Sequence, residues 1–168
     1  MPYPRSSAGD STVFTLLLLF VLAGVLTAFM LPAYRSYTLS EHAKLAKAAL
    51  EQLLAQGQAW QRQHPAQRWA FDDLGYTGQA LYVSSDGTLL DSANITSIYR
   101  ISIAAAAGTP ESCGLAVDDP QAGLVMTAEP IQTQRIETHC ARLCLSSSGT
   151  RGATGESGAD ACWDHRRP

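Results

Sequence analysis

The sequence predicts an α+β chain: a long N-terminal helix, membrane-spanning in its first half, whose second half packs on a small antiparallel β-sheet. Three observations predict it. The 24 residues from Ser11 to Tyr34 carry no charge. An amphipathic stripe follows at helical spacing. The remainder holds short strand-like stretches and all four cysteines.

The charge-free run would span ~36 Å as a helix at about 1.5 Å per residue, enough for a bilayer core. Phe14, Leu18, Gly24, Pro32 and Tyr34 mark this anchor. An ordinary cleaved signal peptide is the competing explanation, with Arg5 in a short n-region. The apolar run exceeds a usual h-region of about 7–15 residues, and no clean small-x-small site follows it. The distribution of basic residues points the other way. Arg5 stands before the run, whereas Arg35, Lys44 and Lys47 follow it, which read literally favours a cytoplasmic C-terminus. The cysteines beyond the anchor outweigh this, because they suit an oxidising compartment.

After Pro32 the pattern turns amphipathic. Leu39, Ala43, Ala46, Leu50, Leu53, Gly57 and Trp60 follow alternating steps of four and three, one stripe of a helix. Glu41, Lys44, Lys47, Glu51 and Gln58 lie off it. Leu39, Ala43, Ala46, Leu50 and Leu53 are therefore expected to pack the helix on the sheet. Pro65 should stop the helix, since the residue before proline disfavours helical geometry. One helix over about 12–63 results, with a kink or loosening at Pro32.

Residues 66–97 read as irregular, with turn signals at Asp72–Gly78 and Ser84–Gly87. Three strands are expected: Ile98–Ala104, Leu124–Pro130 and Cys140–Leu145. Short connections favour an antiparallel meander, with its apolar face on the helix stripe. The tail 146–168 is small and polar. The organisation is thus a short leader (1–10), a transmembrane helix half (11–34), an amphipathic half (35–64) and a β-sheet head (65–168).

From Ala66 to Asp164 there are five Lys/Arg against twelve Asp/Glu. Such an acidic head speaks against a nucleic-acid groove. Cys113, Cys140, Cys144 and Cys162 allow three pairings, and composition does not choose among them. His139, Cys140, Cys144, Cys162 and His165 have zinc-like spacing. Yet Cys140 and Cys144 on one strand would stand ~13 Å apart at about 3.3 Å per residue, too far to share an ion. Gly149, Gly152, Gly155 and Gly158 repeat every third residue, but three triplets without proline read as a flexible loop. No nucleophile–base arrangement, phosphate loop or paired carboxylate stands out, so neither catalysis nor a cofactor or small-molecule substrate is expected. Asp72-Asp73 and Asp118-Asp119 read as solvated loop charges.

Two segments together resemble the type IV pilin family, and PilE-like minor pilins in particular. One is Gly24-Val-Leu-Thr-Ala-Phe-Met-Leu-Pro-Ala-Tyr34, similar to the glycine-to-Leu-Pro-Ala-Tyr stretch late in that family's hydrophobic helix. The other is His139-Cys-Ala-Arg-Leu-Cys-Leu145, then Gly149–Ser157, then Cys162-Trp163, with Ala128-Glu-Pro130 and Gln132 just ahead. The resemblance implies a pilin fold whose C-terminal loop is bounded by a bridge between Cys140 and Cys162. Cys113 and Cys144 are then left either as a second pair or as free thiols. It also implies a minor structural subunit of a type IV pilus or related filament, with adhesion, motility, DNA uptake and secretion all left open as its role. Such a subunit waits in the inner membrane with its head in the periplasm. Its implied partners are major and minor pilin subunits, the inner-membrane assembly machinery and the lipid bilayer.

The chain departs from the family at its processing site. Family members carry a glycine before the cleavage point and a glutamate soon after. Aligned on Leu31–Tyr34, Asp10 falls at the glycine and Thr15 at the glutamate. Aligned on Phe14-Thr15, Val13 and Leu18 fall there instead. Both registers lose both residues, which leaves a membrane-tethered periplasmic assembly or binding factor as the alternative function.

Overall fold

The computed structural model describes residues 8–65, 67–105, 113, 115, 123–131 and 140–164. Side chains are described from Val13 onward, apart from 29, 31–33, 35, 36, 104 and 105. Helix α1 runs Ala8–Gln63. A 3-10 turn, Asp72–Leu74, leads to strands β1 (Leu81–Ser84), β2 (Leu89–Leu90), β3 (Ser97–Ala105), β4 (Leu124–Pro130), β5 (Arg142–Ser146) and β6 (Arg151–Thr154), and then to helix α2 (Gly158–Asp164). The six strands form one antiparallel sheet in the order β2-β1-β3-β4-β5-β6. Contacts divide the chain into two units, 1–40 and 41–168.

In the first unit, the described apolar side chains from Val13 to Tyr37 stand exposed. Phe14, Leu18 and Tyr34 are among them, and Phe20 reaches 78%. Gly24 has open space around it. At Pro32, where a kink or loosening is expected, α1 continues as helix, and the Pro32 side chain lies outside the described residues. Among the described residues no helix is long and apolar enough to cross a membrane. Thr27 shares its hydroxyl between the carbonyls of Ala23 (3.0 Å) and Gly24 (2.9 Å), so its polar group is satisfied within its own helix.

In the second unit the helix is rich in Ala, Leu, Gln, Glu and Lys, all good helix formers, and it ends two residues ahead of Pro65. Ala46, Leu50 and Leu53 have no exposed surface, and Ala49 is buried beside them. Ala43 and, in the first unit, Leu39 are half-buried. The core joins this stripe to Leu81, Val83, Tyr99, Ile101, Met126, Ala128, Leu143 and Leu145. Alternation along the strands explains the selection. Met126 pairs with Leu145 and Ala128 with Leu143, so these four share the helix-facing side of the sheet. Thr127 pairs with Cys144 and faces the other way.

Four expectations need correction. Lys47, placed off the stripe, is only 8% exposed. Its position one turn from Leu50 puts its aliphatic stem under the head. Residues 66–97 are more ordered than their turn signals suggest, for they hold β1 and β2 around the tight turn Ser84–Thr88. The tail is also structured, holding β6 and α2. The third expected strand begins at Arg142, so Cys140 precedes β5.

Trp69 shows how the segment after the helix is tied down. Its indole is 2% exposed and lies on Gly57 of α1. A Cβ at Gly57 would fall 2.2 Å from Trp69 Cε2 and 2.4 Å from Cζ2. Glycine on the stripe is thus a seat for an aromatic ring.

Candidate functional site

The C-terminal region is where the head concentrates covalent and charged contacts. Two disulfides close there, Cys140–Cys162 with Cα atoms 5.7 Å apart and Cys113–Cys144 with Cα atoms 6.0 Å apart. They lie on opposite faces of the sheet. Cys162 belongs to the core under α1, with Cys140 packed at its edge. Cys113 and Cys144 form a separate cluster with Val125 and Leu115 on the other face. Thr127 Oγ1 lies 3.5 Å from Cys144 Sγ. In the loop-entropy picture each bridge contributes roughly 3–4 kcal/mol. The loops overlap in sequence, so the two values do not simply add.

Strand β6 is built to fit between these layers. Gly152 pairs with Cys144, and a Cβ there would meet the Cys113 carbonyl at 2.9 Å and Leu115 Cγ at 3.0 Å. A glycine within a strand often marks such close backbone approach. The glycine repeat, expected to be a flexible loop, is therefore a strand with a turn on each side. Gly149 and Gly155 flank it at φ 87° and 129°, where other residues are strained.

Arg151 is next along β6. It pairs with Leu145, which turns it toward the α1 side. Its guanidinium binds Glu51 of α1 at 2.8 Å, approaches Asp164 of α2 at 3.9 Å, and lies 5.1 Å from the Trp163 ring centroid. Trp163 is buried, and its indole N–H donates to the Gly152 carbonyl at 2.8 Å. One arginine thus links α1, β6 and α2. All these ionic side chains are about half exposed, so the pairs are worth at most ~1 kcal/mol each. Lys47 sits beside them. Burial, then the positive charges of Lys44 and Arg151, holds its pKa below the ordinary lysine value, against the pull of Asp164 and Glu51.

The β1–β2 turn is a second ordered site. The Asp86 carboxylate accepts hydrogen bonds from the Ser84 hydroxyl, the Thr88 N–H (3.0 Å) and the Thr88 hydroxyl (2.8 Å). These bonds lower its pKa to about 2. The arrangement serves the turn, since every donor lies within two residues.

Among the described residues no group of His, Cys, Asp and Glu could hold a metal ion. All four cysteine sulfurs are engaged in disulfides, so none is available as a thiolate ligand. His139 and His165 lie outside the described residues. Sequence reasoning missed Trp69, Arg151 and the burial of Lys47, and it marked Trp163 only as the neighbour of Cys162. Nothing in the sequence pairs Arg151 with Glu51, 100 residues away. Compared with protein-family models and with curated proteins, the chain finds no match.

Proposed function

We propose that this chain is a minor structural subunit of a type IV pilus or related filament, held in the inner membrane by the first half of α1 before assembly. The observation that carries this is the change of character along α1. Apolar side chains are exposed from Val13 to Ala28 and at Met30, and apolar side chains on the same helix are buried in the head from Ala46 to Leu53. A helix whose first part lacks charge and whose second part is a core element suits a subunit that stores its apolar end in lipid and later packs it among other helices. The internally bonded Thr27 hydroxyl fits such surroundings. An antiparallel sheet with a Cys140–Cys162 bridge around its last strand agrees with the resemblance to minor pilins. Major and minor pilin subunits and the inner-membrane assembly machinery are the partners, and the head lies in the periplasm or, in a filament, outside the cell.

The absence of the family's glutamate refines the role. In that family the carboxylate meets the N-terminal amine of a neighbouring subunit in the apolar filament core, where a charge needs a partner. Thr15 or Leu18 cannot neutralise an amine. A subunit of this kind belongs at a tip or initiation site, not along the shaft. The same absence favours the second function, a tethered periplasmic assembly or binding factor that never enters a filament. Mass spectrometry of the mature N-terminus separates the two. A trimmed, methylated N-terminus supports the filament subunit, and an unprocessed N-terminus in the membrane supports the tethered factor.

A further inference from the structure

We infer that the Cys140–Cys162 bridge is a latch on α2 that thiols can open while Cys113–Cys144 stays closed. The two bridges differ in access. Cys113 and Cys144 are 3% and 0% exposed, so both ends of that bridge are covered in the folded head. Cys162 is also buried, but Cys140 is partly exposed in the turn before β5. Thiol–disulfide exchange needs in-line approach of a thiolate to one sulfur, so access at a single end is sufficient.

The step balances with a small dithiol as reductant. Its thiolate attacks Cys140 Sγ and forms a mixed disulfide, and the Cys140–Cys162 bond breaks with its electron pair going to Cys162 Sγ. The resulting Cys162 thiolate takes a proton from solvent. The second thiolate of the reagent then displaces Cys140 as a thiol, and the reagent leaves as a cyclic disulfide. Two electrons and two protons pass to the protein.

What opens is local. Helix α2 has seven residues, too few to be stable by itself in water. Without the bridge it keeps the Trp163–Gly152 hydrogen bond, the packing of Trp163 and the long Arg151–Asp164 contact. The sheet from β3 to β5 keeps its ladder and its own bridge, because Cys144 lies in the middle of β5. Opening therefore loosens residues 158–164, with Cys162 and Trp163 at the edge of the core, and leaves the ladder from β3 to β5 in place. This holds whichever assembly the chain joins.

The test uses the full-length chain in detergent micelles, exposed to graded dithiothreitol. Released thiols are alkylated at each time point and assigned by peptide mass spectrometry. Cys140 and Cys162 should become labelled about tenfold faster or more than Cys113 and Cys144, whose reduction must wait for a larger opening. Hydrogen exchange at 158–164 should speed up at the stage when only the first pair is open, with β3–β5 still protected. In concentrated guanidinium chloride the difference in labelling should vanish. Equal rates in the folded protein, earlier release of Cys113 and Cys144, or an order that persists in denaturant would each overturn the latch. So would loss of protection across the sheet on opening the first pair.

Discussion

Adding one methyl group at Gly57 should destabilise the head, although it improves the helix. In a helix interior, alanine is better than glycine by about 0.8–1 kcal/mol. Against this gain, the new Cβ would stand 2.2 Å from Trp69 Cε2, 2.4 Å from Cζ2 and 2.7 Å from Nε1. The ring is 2% exposed, so it has no free space to retreat into. Overpacking of this kind costs about 1–3 kcal/mol, and a contact so short belongs at the upper end. The steric term wins, for a net loss of about 1–2 kcal/mol in Gly57→Ala. Urea unfolding of the full chain in micelles, followed by circular dichroism, should show it. With a slope of roughly 1–3 kcal/mol/M the midpoint falls by about 0.5–1 M. Gly24→Ala is the control, because nothing lies within 4 Å of that position and the head should keep its midpoint. In a Trp69→Ala background the Gly57 penalty should disappear. If Gly57→Ala matches or exceeds the parent in stability, or keeps its cost without the indole, Trp69 does not rest on α1.

Three further outcomes follow from the same geometry. Leu50→Asp places an unpaired charge at a position with no exposed surface and should cost several kcal/mol, on the order of 3–5, in the same assay; an unchanged midpoint would mean the stripe does not face the sheet. Lys47→Met keeps the buried stem and removes a desolvated ammonium, so it should be neutral or stabilising by up to about 1 kcal/mol, and a loss like that of a core truncation would show the charge to be needed. The cost of burying the Lys47 charge is present at neutral pH and is relieved as pH rises through its lowered pKa, so Lys47→Met should also flatten the alkaline part of the stability profile. Asp86 is held at about 2 against an ordinary 3.8, so its contribution is present above 3.8 and is lost as pH falls through about 2. NMR titration of its carboxyl should find that midpoint, and Asp86→Asn should remove this part of the acid sensitivity; a midpoint near 4 would mean the Ser84 and Thr88 bonds do not persist in solution.

The helix and its inner stripe were legible because periodicity is a property of neighbours in sequence. Ala46, Leu50 and Leu53 declare themselves by spacing, and Pro65 announces the stop. The central strands β3, β4 and β5 were legible from β-branched and apolar runs bounded by turn residues. What stayed hidden depends on distant partners. β1 and β2 are four and two residues long, too short for alternation to register, and they exist because β3 offers a ladder to Leu81–Ser84. β6 is concealed by composition: Gly152 is there because Cys113 and Leu115 cross it, and no local pattern encodes that crossing. Lys47 reads as a surface charge, and only the packed head shows that its stem is covered. In the C-terminal region, the cysteines were visible and Arg151 was not, since an arginine in a Gly/Thr-rich stretch carries no mark of the glutamate it will meet.

The central proposal, a scarce membrane-held subunit at the end of a filament, is tested most directly by immunogold labelling of sheared filaments, with membranes from the same cells probed in parallel. It predicts label in the membranes and, on filaments, label confined to one end. Label at intervals along the whole shaft, at the density of a main building block, would contradict it.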